Sequence, residues 1–332
     1  MTRPLVLFTD ETDLDPAPGR ALLERAGCDT MLADLPSTAA AERALPAGAE
    51  RAVALVVGYA RIDAELLDRL PNVGFIATMS AGFDMIDRTA AEARGIWIVN
   101  LTDAATEEVA AHALTLMLAL ERDLRGSLAV TAAGGWTDDV TAVPRRLSGL
   151  TLGLFGFGRI AQRLAQVAAP SFARVIAHDP FVTAPVHGVE LVDRDTLIGA
   201  ADVLSLHLPL TADTHGAIGA QTFAAMRPGS SLVNVSRGEL VDPAALAAAL
   251  DSGAIRGAAV DVLHGEPPAA DHPLRRDPRV LVTPHVAFLS DGSLEHYTLD
   301  PARNVLSWLR TGAAARAAVT GRETTPLLPA AH

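Results

Sequence analysis

Short, β-rich apolar runs alternate with Ala- and Leu-rich stretches along almost the whole chain, the pattern of parallel sheets covered by helices on both faces. The spacing predicts strands over residues 5–9, 52–57, 73–78 and 96–99, with helices over 19–26 and 64–70 between them, which together make one smaller α/β unit. A helix over 106–122 is apolar on nearly every face (Val109, Ala113, Leu114, Leu116, Met117, Leu118, Leu120), so burial between larger bodies, at a domain junction, is expected there. A looser segment, 126–147, precedes six further strands at 150–155, 174–178, 203–207, 231–235, 257–262 and 280–283. Six strands with intervening helices make a doubly wound, Rossmann-type nucleotide-binding sheet. The last periodic stretch, 290–309, predicts an amphipathic helix with Leu294, Tyr297, Val305 and Trp308 as its apolar stripe, expected to return onto the first unit. From Gly312 onward no period is visible, and no structure is assigned.

Composition narrows the classes. At 332 residues the chain has length for about two domains, and 49% hydrophobic with 20% charged residues describes a packed globular protein. A net charge of −12 argues against a general hold on nucleic acid or an anionic membrane. The sequence contains no lysine, which excludes Schiff-base chemistry, a Walker-type phosphate loop and any lysine-linked cofactor. The lone Cys28 has no partner for an intrachain disulfide and no second cysteine with which to frame a zinc site; it is expected as a small buried hydrophobe, and no metal is expected. The apolar run at 5–8 meets Asp10 at once, too short for a secretory signal, and no stretch is long enough to span a bilayer, so the expected setting is cytoplasmic.

Gly156-Phe157-Gly158-Arg159-Ile160-Ala161 stands between a predicted strand and a predicted helix, the context a dinucleotide fingerprint requires. The first glycine allows the tight turn, and the second lets backbone approach a pyrophosphate at the helix N-terminus. Asp179 lies 21 residues after Gly158, at the end of the next strand, where a carboxylate accepts from ribose hydroxyls and repels a 2′-phosphate. NAD is therefore expected over NADP.

Arg237, Glu266 and His285 each fall just beyond the carboxyl end of a later strand, the edge of an open α/β sheet where ligands bind. An arginine can clamp a carboxylate, a histidine can move a proton near neutral pH, and a neighbouring carboxylate favours its imidazolium. Together these residue types suit redox chemistry on a 2-oxo acid.

The stretches 152–163, 205–211, 226–242, 257–267 and 282–287 resemble, in order and spacing, the D-isomer-specific 2-hydroxyacid dehydrogenase family over nearly the whole chain. The resemblance implies a dinucleotide-binding domain at 101–285 and a discontinuous, flavodoxin-like substrate domain from 1–100 and 286–332, usually in a homodimer. It implies that Arg237 binds the substrate's carboxylate and carbonyl, that His285 is the general acid/base, and that Glu266 orients His285 and raises its pKa. Asp261 would hold the nicotinamide carboxamide, Thr106, Arg159 and Ile160 would lie near the cofactor phosphates, and His207 and Pro209 beside the adenosine. Ser80-Ala81-Gly82 would bind the substrate carboxylate through backbone N–H groups. The implied activity is hydride transfer between a nicotinamide and C2 of a small D-2-hydroxy acid, as in glyoxylate or hydroxypyruvate reductases. Two readings stand beside it: phosphite oxidation, which keeps the same triad, and an NAD(H)-sensing regulatory or scaffold protein of the same fold. Related formate dehydrogenases carry glutamine where this chain has Glu266. Phe288 is bulkier than the residue usual after His285-Val286-Ala287, and 288–290 resemble the branch containing C-terminal-binding co-repressors.

Overall fold

The computed structural model describes residues 2–10, 14–35, 44–314 and 316–329. The chain divides into two compact units, residues 1–104 with 290–332 and residues 105–289. Each boundary falls four residues beyond the one expected from the sequence.

In the first unit, β1 (Leu5–Phe8), β2 (Asp29–Leu32), β3 (Ala52–Val57), β4 (Phe75–Thr78) and β5 (Trp97–Val99) form a parallel sheet in the order β2-β1-β3-β4-β5. This is the flavodoxin-like order, with its topological switch between β1 and β3. Strands covered on both faces are apolar without alternation, as the fully buried β1 shows and as β4 does up to its final Thr78. The edge strand β2 escaped the sequence pattern because all four of its residues are only half-buried and no apolar run marks them. Asp63 and Asp87 start the next helices by accepting the Leu66 and Ala90 N–H groups. Cys28 is buried, as expected, and burial pushes its thiol up to about 11.

The last helix, Asp291–Thr311, is capped by Ser290, whose hydroxyl accepts from the Ser293 N–H. It packs on the helix Ala17–Arg25 and on β4, stacking Trp308 on Phe75 with ring centroids 5.2 Å apart. Tyr297, Val305 and Trp308 are buried as predicted, but Leu294 is 39% exposed and is not part of the stripe. Small residues, Ser293 and Ala302, carry part of the buried face instead. They permit a close approach that hydrophobic periodicity does not register: a Cβ on Gly19 would lie 2.7 Å from the Thr298 carbonyl oxygen.

The segment after Gly312 is not without structure, contrary to the sequence reading. Val319 is buried and bridges Ile98 antiparallel, the Arg322 N–H donates to the Gly95 carbonyl, and the N–H groups of Leu327 and Leu328 reach the Leu309 carbonyl. These are single long-range pairings, which leave no periodic signature in the sequence. Residues 315 and 330–332 of that segment lie outside the described residues.

In the second unit, β6 (Thr151–Phe155), β7 (Arg174–His178), β8 (Glu190–Leu191), β9 (Val203–Leu206), β10 (Ser230–Asn234), β11 (Ile255–Val260) and β12 (Val280–Val282) form a parallel sheet in the order β12-β11-β10-β9-β6-β7-β8. It has seven strands where six were expected; the addition is the two-residue edge strand β8, too short and too exposed to announce itself. The topological switch lies between β6 and β9. The helix Thr106–Glu121 lies within this unit, on the helix Arg159–Ala168 and on β10 and β11. Val109, Ala113, Leu116 and Met117 are buried, whereas Leu114, Leu118 and Leu120 are half-buried. The segment expected to be loose includes most of a helix, Leu124–Ala132, started by Asp123 accepting from the Gly126 N–H. None of that helix is buried, so it carries no apolar period.

Sequence reasoning also missed a buried ion cluster. Glu121 is fully buried at the end of its helix, where Arg145 grips both carboxylate oxygens at 2.7 and 2.8 Å, Arg256 adds a contact at 3.2 Å and the Ser231 hydroxyl donates at 2.6 Å. Arg145 also donates to the Gly229 and Asp202 carbonyls, tying residue 145 to the amino ends of β9 and β10.

Candidate active site

The second unit places its chemistry at the carboxyl ends of β6, β7 and β9–β12. Gly156 turns the chain out of β6 at φ +88°, and a Cβ there would lie 2.5 Å from the His207 carbonyl oxygen, so the turn sits against the end of β9 at the switch point. Gly158 caps the helix Arg159–Ala168 with no side-chain partner, and a Cβ on it would meet nothing within 4 Å. A helix N-terminus opened by a glycine that no described atom crowds is the cradle a pyrophosphate needs, so these residues fit a dinucleotide. Asp179 is held beside this loop by the Phe157 N–H at 2.8 Å and the Phe181 N–H at 2.9 Å. His207 pairs with the Ser205 hydroxyl at 2.9 Å, and burial lowers its pKa to about 4, so it is neutral. Thr106 starts its helix, and Pro209 is exposed beyond β9 with its carbonyl accepting from the Thr214 hydroxyl.

Two of the three residues expected to act on substrate are in direct contact. The His285 Nδ1 lies 2.5 Å from Glu266 Oε2; since a carboxylate only accepts, Nδ1 carries that proton and Nε2 is left for a ligand. The other Glu266 oxygen accepts from the Leu263 N–H at 2.7 Å, which fixes the carboxylate plane. Burial pushes the His285 pKa down, but the hydrogen bond and charge of Glu266, with Asp261 adding, exceed it, and the net shift is upward. Arg237 is near enough for its charge to oppose that shift. Phe288 stands edge-on to the imidazole, with ring centroids 6.5 Å apart.

The backbone that presents these groups is over-determined. His285 has a left-handed φ of +54°, a conformation that costs a side-chain-bearing residue about 1–3 kcal/mol. Asp261, 2% exposed, offsets that cost by accepting from the Val286 and Ala287 N–H groups and the Thr283 hydroxyl, while its own carbonyl takes the His285 N–H. Most of the acceptor capacity of Asp261 is thus spent on holding the histidine loop. His112 completes this cluster, 3.0 Å from Thr283 Oγ1 and 3.5 Å from Asp261 Oδ1. On the other side, buried Asn234 shapes the arginine turn by donating to the Arg237 carbonyl and accepting the Ser236 N–H. Gly238 lets that turn lie flat on the Glu266 loop: a Cβ there would fall 2.0 Å from the Leu263 carbonyl carbon. Thr283, His112, Asn234 and Gly238 were not singled out from sequence; the only signal for Asn234 was a polar residue closing an apolar strand.

Ser80, Ala81 and Gly82 follow β4 in the first unit. Their carbonyls accept from the Thr78 hydroxyl and the Leu101 N–H, from the Asn100 amide and from the Ser80 hydroxyl respectively. No acceptor among the described residues takes their N–H groups.

Residues 114–287 match the family described as D-isomer specific 2-hydroxyacid dehydrogenase, NAD binding domain. The chain belongs to the D-isomer-specific 2-hydroxyacid dehydrogenase family. Residues 105–289 contain its NAD-binding domain. Among family members, the chain is 31% identical to a glyoxylate reductase of Thermofilum pendens, over 93% of both chains. It is 38% identical to a D-3-phosphoglycerate dehydrogenase of Archaeoglobus fulgidus, over 70% of this chain and 45% of that one. The chain thus spans about half the length of the D-3-phosphoglycerate dehydrogenases it matches. The structure of an NADPH-dependent glyoxylate/hydroxypyruvate reductase from Sinorhizobium meliloti, solved with NADP and malonate, superposes with a TM-score of 0.87 at 29% identity, covering 97% of this chain and 99% of that one.

Proposed function

We propose that the protein is a homodimeric, cytoplasmic, NAD-dependent dehydrogenase that interconverts a small D-2-hydroxy acid and its 2-oxo acid, with residues 105–289 binding the dinucleotide and residues 1–104 with 290–332 forming the substrate domain. The observation that carries this reading is the His285–Glu266 pair held beside Arg237 at the same sheet edge as the glycine loop. Gly156, Gly158, Arg159, Ile160 and Thr106 would hold the cofactor's phosphates, Asp179 its adenosine ribose, His207 and Pro209 its adenine side, and Asp261 its carboxamide; when bound, the nicotinamide supplies or accepts the hydride. His285 gives its Nε2 proton to the 2-oxo group in reduction and takes the hydroxyl proton in oxidation. Glu266 holds the imidazole in the tautomer this requires. Arg237 clamps the carboxylate and polarises the carbonyl beside it. In the substrate domain, Ser80, Ala81 and Gly82 would bind the substrate through backbone N–H groups. Asp179 repels a 2′-phosphate, which favours NAD over NADP. The single buried thiol, Cys28, suits a reducing compartment.

Following NADH oxidation at 340 nm across a panel of 2-oxo acids, with NADPH in parallel, tests this reading. A clear NADH-selective rate on small acids is expected; tight NADH binding without turnover of any acid would overturn it in favour of the sensor.

The dimer rests on an exposed apolar arm. Leu124, Leu128, Trp136, Val140 and Val143 all lie exposed within residues 124–143, Trp136 at 75% and Val143 at 87%, and exposed apolar surface of this kind is what an association face needs. Sedimentation should find the parent protein at twice the chain mass and the Trp136→Ser, Val143→Ser double variant shifted toward one chain.

A further inference from the structure

His112 touches the loop that carries His285, yet the proton transfer between His285 and substrate gives it no part. It stands on the helix Thr106–Glu121 with 22% of its side chain exposed, and its Nε2 lies 3.0 Å from Thr283 Oγ1 and 3.5 Å from Asp261 Oδ1. The ring makes no other hydrogen bond among the described residues. The position of each proton follows from what each group can donate. Asp261 accepts the Val286 and Ala287 N–H groups and, at 2.6 Å, the Thr283 hydroxyl proton. A threonine hydroxyl has a single proton, so Thr283 Oγ1 only accepts from the imidazole, and His112 carries a proton on Nε2. The bonds therefore run one way, from His112 through Thr283 to Asp261, and Asp261 joins them to the backbone just after His285. Bonds aligned in this way polarise and strengthen one another. The carbonyls of Thr283 and Asp261 also hold the loop, taking the His285 N–H at 3.1 and 2.8 Å. A hydroxyl left alone rotates; with a donor on its oxygen, its proton is directed at Asp261. The carboxylate plane is thereby fixed, and with it the left-handed backbone of His285 at φ +54°.

We propose that His112 is a positioning residue for the dehydrogenase reaction: its Nε2–H orients the Thr283 hydroxyl and the Asp261 carboxylate and so holds the His285 loop in its reactive geometry. This rests on the dehydrogenase reading above. His112 acts as a donor in a fixed place, and its charge is not required. Displacing a reacting group by about 1 Å can cost on the order of 10²-fold in rate. Arg237 is held by a different set of bonds, through Asn234. The rate therefore depends on His112 while the grip on the acid does not.

The experiment measures kcat and KM with NADH and glyoxylate, pyruvate or hydroxypyruvate in the parent protein, in His112→Leu, His112→Gln and Thr283→Val, and in the His112→Leu, Thr283→Val double variant. His112→Leu should lower kcat by about tenfold or more while KM for the acid changes by less than about threefold. His112→Gln, whose amide N–H reaches the same oxygen and does not titrate, should recover most of the rate. In the Thr283→Val background His112→Leu should cost little further, because the chain of bonds is already cut. Amide hydrogen exchange read by mass spectrometry should be faster at Val286 and Ala287 in His112→Leu than in the parent or His112→Gln. Parental kcat in His112→Leu, a glutamine variant as slow as the leucine one, or losses that multiply in the double variant would each overturn the proposal. So would a loss of rate without faster exchange at Val286 and Ala287, since the effect would then not pass through the loop. If leucine prevents folding, His112→Asn, too short to bring a donor to Thr283, takes its place. Absence of turnover on every acid would overturn the dehydrogenase reading, and the exchange at Val286 and Ala287 would then decide by itself whether His112 holds the loop.

Discussion

His285→Ala is expected to lower the rate of 2-oxo acid reduction by about 10²–10⁴-fold, the range a positioned general acid contributes, while NADH affinity stays nearly unchanged. The asymmetry follows from where the residue sits. The imidazole is held by Glu266 and by the Asp261 clamp on the following backbone, whereas the glycine loop and Asp179 lie at the ends of β6 and β7. The same geometry sets a pH dependence. Reduction requires protonated His285, and its pKa is raised above 6.5. The kcat/KM for reduction is therefore flat on the acid side and falls by about tenfold per pH unit above that raised value; for oxidation it rises through the same value. In Glu266→Gln the charge that lifted the pKa is gone while burial and Arg237 still push it down, so the falling limb moves to lower pH. Steady-state rates over a pH series read both effects. A His285→Ala protein retaining parental turnover, or a Glu266→Gln limb that does not move, would show that the proton comes from elsewhere.

Glu121→Ala carries the largest expected effect on stability, about 3–5 kcal/mol, because it removes one side of a buried ion cluster and leaves the other. Arg145 and Arg256 are only 24% and 26% exposed, and without Glu121 two guanidinium charges and the Ser231 hydroxyl lose their shared acceptor. Arg145 also anchors the chain to the amino ends of β9 and β10, so the segment leading into β6 should loosen together with the sheet edge. The measurement is urea unfolding followed by far-ultraviolet circular dichroism, with a lower midpoint expected for the variant. The loss should change little with added salt, since a fully buried carboxylate is poorly screened. A midpoint within error of the parent would mean that the arginines find other partners.

How much of this was legible in advance depended on the range of the forces involved. The two parallel sheets were readable because strands covered on both faces are apolar nearly throughout: β1 and β3 are wholly so, and β4, β6 and β9 each carry a single Thr or Ser. The glycine turn was readable because a sharp exit from β6 at positive φ restricts residue type locally. Arg237, Glu266 and His285 were readable as strand-end residues of complementary chemistry; strand-end position is a local property too. The edge strands β2 and β8, the exposed helix Leu124–Ala132 and the anchored segment after Gly312 were not, since half-buried or singly paired residues leave no period.

The sequence by itself thus determined the α/β class, the strand-by-strand frame and the residue types at its carboxyl edge, all of them consequences of burial pattern and local backbone geometry. Only the tertiary structure decided which groups meet: Glu266 with His285, Asp261 with the loop that carries it, Glu121 with Arg145 and Arg256, and Asp10 with three N–H groups about fifty positions away. Each of these pairs a carboxylate with donors distant in sequence. The attraction acts through a few ångströms of space that exist only after the sheets have formed, so nothing in the local pattern of either partner records it.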